Sequence, residues 1–222
     1  MAEYKYPALF HNRAKLVNNM KKLSTKCGDQ GIEIAGIIKA TNGTVATCED
    51  FVAGGAKLIG SSRLEQLKRA KEGGITVPLL LIRVPMLSEI SELVDIADIS
   101  LNSELVVLET INKIALEKGT THKVILMADL GDLREGFFDL DELVDVAIKV
   151  ENEMHGLVLA GIGTNLGCYG SVIPTEDKML ALAELAERVE AKIGRELEYV
   201  SGGATTSLLG VYHGYMPAKI NM

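Results

Sequence analysis

Four stretches place chemically capable side chains where an apolar run gives way to turn-forming residues. Lys39 follows Ala35-Gly36-Ile37-Ile38 and precedes Thr41-Asn42-Gly43. A buried strand has no use for an ammonium group. At a strand mouth a lysine can keep its charge or lose it and act as an amine nucleophile. The plainer alternative is a lysine snorkelling from a strand end. In DLGDLREG, Asp129 to Gly136, three acids and Arg134 follow the apolar run Val124–Ala128. That pattern suits a charged surface loop with an internal ion pair. It equally suits a sharp turn at Gly131 and Gly136 that aims Arg134 back over the strand ends. GIGTNLGCYG, Gly161 to Gly170, has four glycines in ten residues, with Thr164, Asn165, Cys168 and Tyr169 as its chemical content. It is either a plain Gly-rich connection or a place where backbone closes on a ligand.

The fourth stretch is SGGATTS, Ser201 to Ser207. Amides freed by Gly202 and Gly203, with the hydroxyls of Ser201, Thr205 and Thr206 before a helix start, form a cup for a phosphate. Ser and Thr also cap helices with no ligand present, and no Gly-Lys-Ser/Thr follows to make a P-loop. Together, a strand-end lysine, a strand-end arginine and a phosphate cup suit an aldehyde cofactor with a phosphate tail. Pyridoxal 5'-phosphate is that cofactor, with Lys39 as its Schiff-base partner.

The elements that must hold these groups alternate along the chain. Apolar runs predict strands over Ile32–Lys39, Lys57–Gly60, Pro78–Val84, Ile99–Asn102, Lys123–Leu130, Leu157–Gly163 and Glu198–Ser201. Between them lie helical patterns. In Thr175–Ile193, Met179, Leu182, Leu185, Ala186, Val189 and Ile193 share a face, Thr175 caps the start and Gly194 stops the end. A second pattern covers Leu140–Val150, and an extended piece (Ala8-Leu9-Phe10) and a helix (Asn12–Lys26) precede the first strand. Strand alternating with helix means a parallel sheet with helices outside, and no linker-like segment interrupts residues 1–222. Its active site belongs at the carboxyl ends of the strands. A complete eight-unit barrel takes about 250 residues, so seven strands in 222 residues fall one unit short.

Composition narrows the class. With 47% hydrophobic residues the chain can bury one sizeable core. A net charge of −7 without Lys/Arg clusters argues against nucleic acid. Apolar runs are too short for a membrane span, and Cys27, Cys48 and Cys168 suit a reducing cytoplasm rather than a disulfide framework. His11, His122, His155 and His213 lie too far apart for a zinc motif.

Seven collinear stretches, GIIKATNG, GSSRLEQLK, LLLIRVPMLSE, DISLNSE, ILMADLGDLREG, GIGTNLGCYG and SGGATTSL, resemble the fold-type III pyridoxal-phosphate enzymes, the alanine racemase group. The ornithine-racemase-like branch is the most similar. The resemblance implies an α/β fold, the (β/α)8 TIM-type barrel of the alanine racemase N-terminal domain, here lacking the eighth strand and the C-terminal β-domain. It places the Schiff-base lysine at Lys39 and an arginine beside the cofactor's phenolic oxygen at Arg134. Asn165 falls where alanine racemases have a cofactor-contacting histidine. The phosphate turn falls at Ser201, Gly202, Gly203, Thr205 and Thr206, although Ala204 replaces the branch's usual Asn.

The resemblance further implies a racemase of ornithine, or of another basic or small amino acid, working as a homodimer. Lys39 would be the proton base on one face of the substrate Cα. The opposite face needs a second donor. In alanine racemases this is a tyrosine of the C-terminal region, and in this chain the candidates are Cys168 and Tyr169. Asp129, Asp132 and Glu135 are candidates to receive a substrate ammonium. A non-catalytic pyridoxal-phosphate-binding protein and an aldolase-type Schiff-base barrel are the alternatives. Without an eighth strand, the first and seventh strands keep unpaired edges, to be covered by further chain, by Tyr212–Met222 or by another molecule.

Overall fold

The computed structural model describes residues 7–8, 10–168 and 172–222. Asn12 caps the first helix, α1 (Arg13–Gly28), by accepting the Lys15 amide. Seven units of strand and helix follow: β1 (Ala35–Ile37), α2 (Val45–Ala53), β2 (Leu58–Ser61), α3 (Leu64–Glu72), β3 (Leu79–Leu81), α4 (Ile90–Ile96), β4 (Ile99–Asn102), α5 (Leu105–Glu117), β5 (His122–Met127), α6 (Leu140–Glu153), β6 (Leu157–Gly163), α7 (Glu176–Ile193), β7 (Tyr199–Ser201) and α8 (Leu208–His213). Thr175 takes the N-cap position of α7 and Gly194 ends it in the left-handed region at φ 77°.

The strands form one sheet in the order β1-β2-β3-β4-β5-β6-β7, every neighbouring pair parallel. Two apolar layers hold it. Leu58, Leu80, Ile99, Ile125 and Tyr199 pack with Met222 on one face. Ile59, Leu81, Leu126 and Ile162 pack on the other, together with the helix residues Leu67, Leu108, Leu143 and Leu182. Between β5 and β6 the register slips, so that Val124 pairs with Leu159 but Ile125 with Gly161. Ala160 is the extra residue of a bulge. Beyond it an added Cβ on Gly161 would run into the Tyr199 carbonyl, so β6 and β7 approach as only glycine permits.

Several boundaries are shorter than the apolar runs suggest. The chain leaves β1 at Ile37, and Lys39 opens a 3-10 turn, Lys39–Thr41, instead of ending the strand. Ile38 causes this: at φ −93° and ψ 4° it has left the extended region. Likewise β3 stops at Leu81 and β5 at Met127, although Ala128 still bridges Phe137. Ala8 and Phe10 lie in no strand, and Leu9 lies outside the described residues.

No eighth strand element closes the sheet among the described residues, but its place is partly taken. Asn221 donates its N–H to the Val200 carbonyl (3.1 Å) and accepts the Glu33 N–H (2.8 Å) on its own carbonyl. Its side chain accepts the Val200 N–H at 2.8 Å and donates to the Glu198 carbonyl at 3.0 Å. Met222 accepts the Gly202 N–H at 2.8 Å. The 221–222 segment thus covers part of the edge expected to be bare and ties β7 to the chain entering β1. Removing the amide by Asn221→Ala leaves the Val200 donor unmet. That loss should lower unfolding free energy by roughly 1–3 kcal/mol, read from urea midpoints.

A polar cluster is sealed beside β4 and β5. Ser100 Oγ and His122 Nε2 are 2.9 Å apart, and Asn102 donates to the Ser100 carbonyl and hydroxyl. Burial pushes the His122 pKa down from 6.5 to about 4, although Asp98 pulls it upward. The unfolded chain therefore takes up this proton first. The contribution is complete above about pH 6.5 and is lost as pH falls toward 4, on the order of 3 kcal/mol in all. Urea midpoints should fall across that window, and the difference between wild type and His122→Gln should isolate the effect.

Candidate functional site

Parallel pairing sends every strand's carboxyl end to one rim, and the four stretches meet there from β1, β5, β6 and β7. Lys39 is exposed, and its side chain makes no hydrogen bond or ion pair with a described residue. Its turn is firmly held. The Thr41 hydroxyl donates to the Ile38 carbonyl at 3.1 Å, and Asn42 turns the chain at φ 52°. From α3, Gln66 donates to Asn42 Oδ1 (3.2 Å) and Arg69 to the Asn42 carbonyl (2.6 Å). The buried Ser61 hydroxyl holds Gln66 Oε1 at 2.6 Å.

Arg134 reaches the rim because the loop after β5 doubles back. Asp129 Oδ1 accepts the amides of Gly131 (2.8 Å) and Leu133 (3.1 Å), and Leu133 takes φ 52°. Phe137 then returns alongside β5, donating to the Met127 carbonyl and accepting the Asp129 amide. This leaves Arg134 lining a cavity of about 410 Å3 with Val84, Ser103, Glu104, Asp129 and Glu135. Arg134 Nη1 lies 3.9 Å from Glu135 Oε1.

Across the rim Asn165 donates to Glu135 at 2.6 Å and accepts from the exposed Cys168 thiol at 3.3 Å. Asp132 accepts the Gly167 amide at 3.4 Å. Tyr169 and Gly170 lie outside the described residues. In the turn after β7, part of the expected phosphate cup has structural work. The Gly202 N–H goes to Met222, and the Thr206 hydroxyl donates to the Leu166 carbonyl at 2.9 Å. The amides of Gly203 and Ala204 and the Thr205 hydroxyl have no hydrogen-bond partner among the described residues. Gly203 sits at φ 91°, where an added Cβ would stand 2.5 Å from the Thr164 carbonyl and 3.2 Å from Asn165 Cα. Ser201 ends β7 half-buried, against Gly163. Arg134, Asn165, Gly203 and Thr206 therefore join in one run of contacts, while Lys39 is held separately, by α3.

The family model for the alanine racemase N-terminal domain matches residues 12–221. The chain belongs to that family. It is 35% identical over 216 residues to the lysine racemase of Thermotoga maritima, covering 97% of this chain and 60% of the relative. It is also 35% identical over 218 residues to the ornithine racemase of Acetoanaerobium sticklandii, again covering 97% and 60%. This chain thus spans about 60% of the length of these relatives. Among solved structures, the alanine racemase of Streptomyces lavendulae superposes with a TM-score of 0.78 at 17% identity, covering 92% of this chain and 54% of that one. At that identity the likeness is one of fold.

Sequence reasoning missed Ser61, Gln66 and Arg69, which hold the Lys39 turn, and Glu104, which lines the cavity. Gln66 and Arg69 look like ordinary helix residues; the one signal was a polar Gln66 amid the apolar Leu64 and Leu67. Gln66→Leu would leave the buried Ser61 hydroxyl without its acceptor, costing about 1–3 kcal/mol. It should also speed amide exchange across Lys39–Gly43 by roughly tenfold relative to β5. Hydrogen exchange read by mass spectrometry checks both the size and the location of the change.

Proposed function

We propose that the protein is a pyridoxal-phosphate-dependent amino-acid racemase acting on a basic amino acid of the ornithine or lysine type. The observation that carries this reading is the presence, at one rim, of an exposed Lys39 and the amides of Gly203 and Ala204, all without a hydrogen-bond partner among the described residues. Family membership and the names of the two relatives at 35% identity support it.

The donor set suits the cofactor. Amides at the start of a helical turn and the Thr205 hydroxyl can receive phosphate oxygens, with Ser201 beside them. Gly202 and Thr206 shape this turn by tying it to Met222 and Leu166. Arg134 offers a fixed positive charge for the phenolic oxygen, favouring its ionised form. Lys39 is the amine that would hold the aldehyde. When bound, the cofactor supplies an electron sink that acidifies the substrate Cα proton. Lys39 then accepts and returns a proton at Cα on its own face. Its turn, fixed by Gln66 and Arg69, keeps the lysine backbone at one location through the exchange. A basic side chain finds three carboxylates in the cavity, Glu104, Asp129 and Glu135, against the single guanidinium of Arg134.

Borohydride reduction in the presence of pyridoxal phosphate, followed by peptide mapping, should place a pyridoxyl group on Lys39. A panel of amino acids in deuterated water should then show α-proton exchange for ornithine or lysine, abolished by Lys39→Ala. An adduct confined to another lysine rejects the assignment. A Lys39 adduct without exchange on any amino acid rejects the racemase and leaves a binding protein.

A further inference from the structure

Asn165 does not stand open at the rim. Its Nδ2 donates to Glu135 Oε1 at 2.6 Å, and its Oδ1 accepts the Cys168 thiol at 3.3 Å, so both ends of the amide are engaged. The Glu135 side chain is only 12% exposed, and the oxygen held by Asn165 is the one that faces Arg134 Nη1 at 3.9 Å. A carboxylate so enclosed is costly unless a positive charge and N–H donors compensate it. Those are the two groups that meet at Oε1. Behind Asn165, the backbone at Gly203 runs so close that an added Cβ would stand 2.5 Å from the Thr164 carbonyl and 3.2 Å from Asn165 Cα, so the Asn165 backbone is backed by the turn after β7.

We propose that Glu135 and Asn165 are positioning residues for Arg134. Asn165 fixes the Glu135 carboxylate, and that fixed anion locates the guanidinium. Asn165 therefore influences whatever binds at the rim through Glu135 and Arg134, not by touching it. The chemistry follows from side-chain freedom. An arginine on a loop samples many rotamers, and ordering it on binding costs free energy unless a fixed anion has already done so. Hydrogen-bonding the anion removes its own freedom, so the pair is set before a ligand arrives. The inference rests on the reading of the rim as a pyridoxal-phosphate site.

The test is a set of dissociation constants for pyridoxal phosphate, with the pH dependence of its visible absorbance, on folded proteins checked by circular dichroism. Glu135→Gln keeps the shape of the side chain and removes its charge; Asn165→Ala keeps the charge and removes its anchor. Each should weaken binding by roughly 5- to 30-fold and displace the pH titration of the visible band. The double variant should be no weaker than the worse single one. In an Arg134→Ala background, Asn165→Ala should change the constant by less than about twofold, because the route it acts through is gone. Asn165→Asp, which sets two carboxylates together, should be worse than Asn165→Ala, an order that lost packing would not produce. Additive losses, a full Asn165→Ala effect without Arg134, or single variants indistinguishable from wild type would overturn the proposal. A wild-type protein that binds no pyridoxal phosphate overturns the functional reading itself, and this inference with it.

Discussion

Lys39 follows the first strand of the sheet and the Ser201–Ser207 turn follows the last, so nothing in the ladder itself brings them together. What does is the backbone of Asn221 and Met222, which bonds to Val200 and Gly202 on one side and to Glu33 on the other. An open parallel sheet leaves a row of donors and acceptors on each outer strand, and a curled one can satisfy both rows with one segment. The Asn221 side chain adds two further bonds to the seventh-strand side. Six parallel ladders between seven strands give the rim its direction. This contact gives it a circumference, joining the side that carries Lys39 to the side that carries the Ser201–Ser207 turn.

Within that frame the rim divides its polar groups between holding and offering. Thr206, Gly202 and Ser207 are engaged in structure; Ser207 donates to the Gly202 carbonyl at 2.6 Å. The amides of Gly203 and Ala204 and the Thr205 hydroxyl, next to them, have no hydrogen-bond partner among the described residues. After the first strand the same division places Gln66, Arg69 and Ser61 in service of a turn whose lysine side chain has no partner among the described residues. A preorganised site requires this arrangement, because ligand binding then orders little that was not ordered before. Beneath the rim, the Ser100–Asn102–His122 cluster shows the opposite case. There the Ser100 hydroxyl bonds to both Asn102 and His122, although Asn102 Oδ1 has no partner among the described residues, and burial holds the imidazole neutral.

The strand order and the rim were legible because both follow from local pattern. Apolar runs of period suited to buried strands, alternating with helix-period segments, leave few arrangements other than a parallel sheet with helices outside. Lys39 was legible as a charged residue directly after such a run, and Arg134 as the basic residue in the Gly-flanked loop that follows another. The exact strand ends were not. Ile38 is as apolar as Ile37, and only its backbone angles show that the strand is over. The partial cover of the open edge by Tyr212–Met222 was one of three sequence-based expectations, and the sequence had no means of choosing among them.

By itself, then, the sequence determined the class of fold, the family and the rim on which the chemical residues stand, because residue type and spacing report secondary structure and direction. Only the tertiary structure decided how those residues are used. Gln66 reaches Asn42 across 24 positions, Asn165 reaches Glu135 across 30, and Thr206 reaches Leu166 across 40. Such bonds are set by strand register, the Ala160 bulge and the curl of the sheet. None of these leaves a periodic trace, since a hydrogen bond depends on where two atoms end up and not on how far apart they stand in the chain.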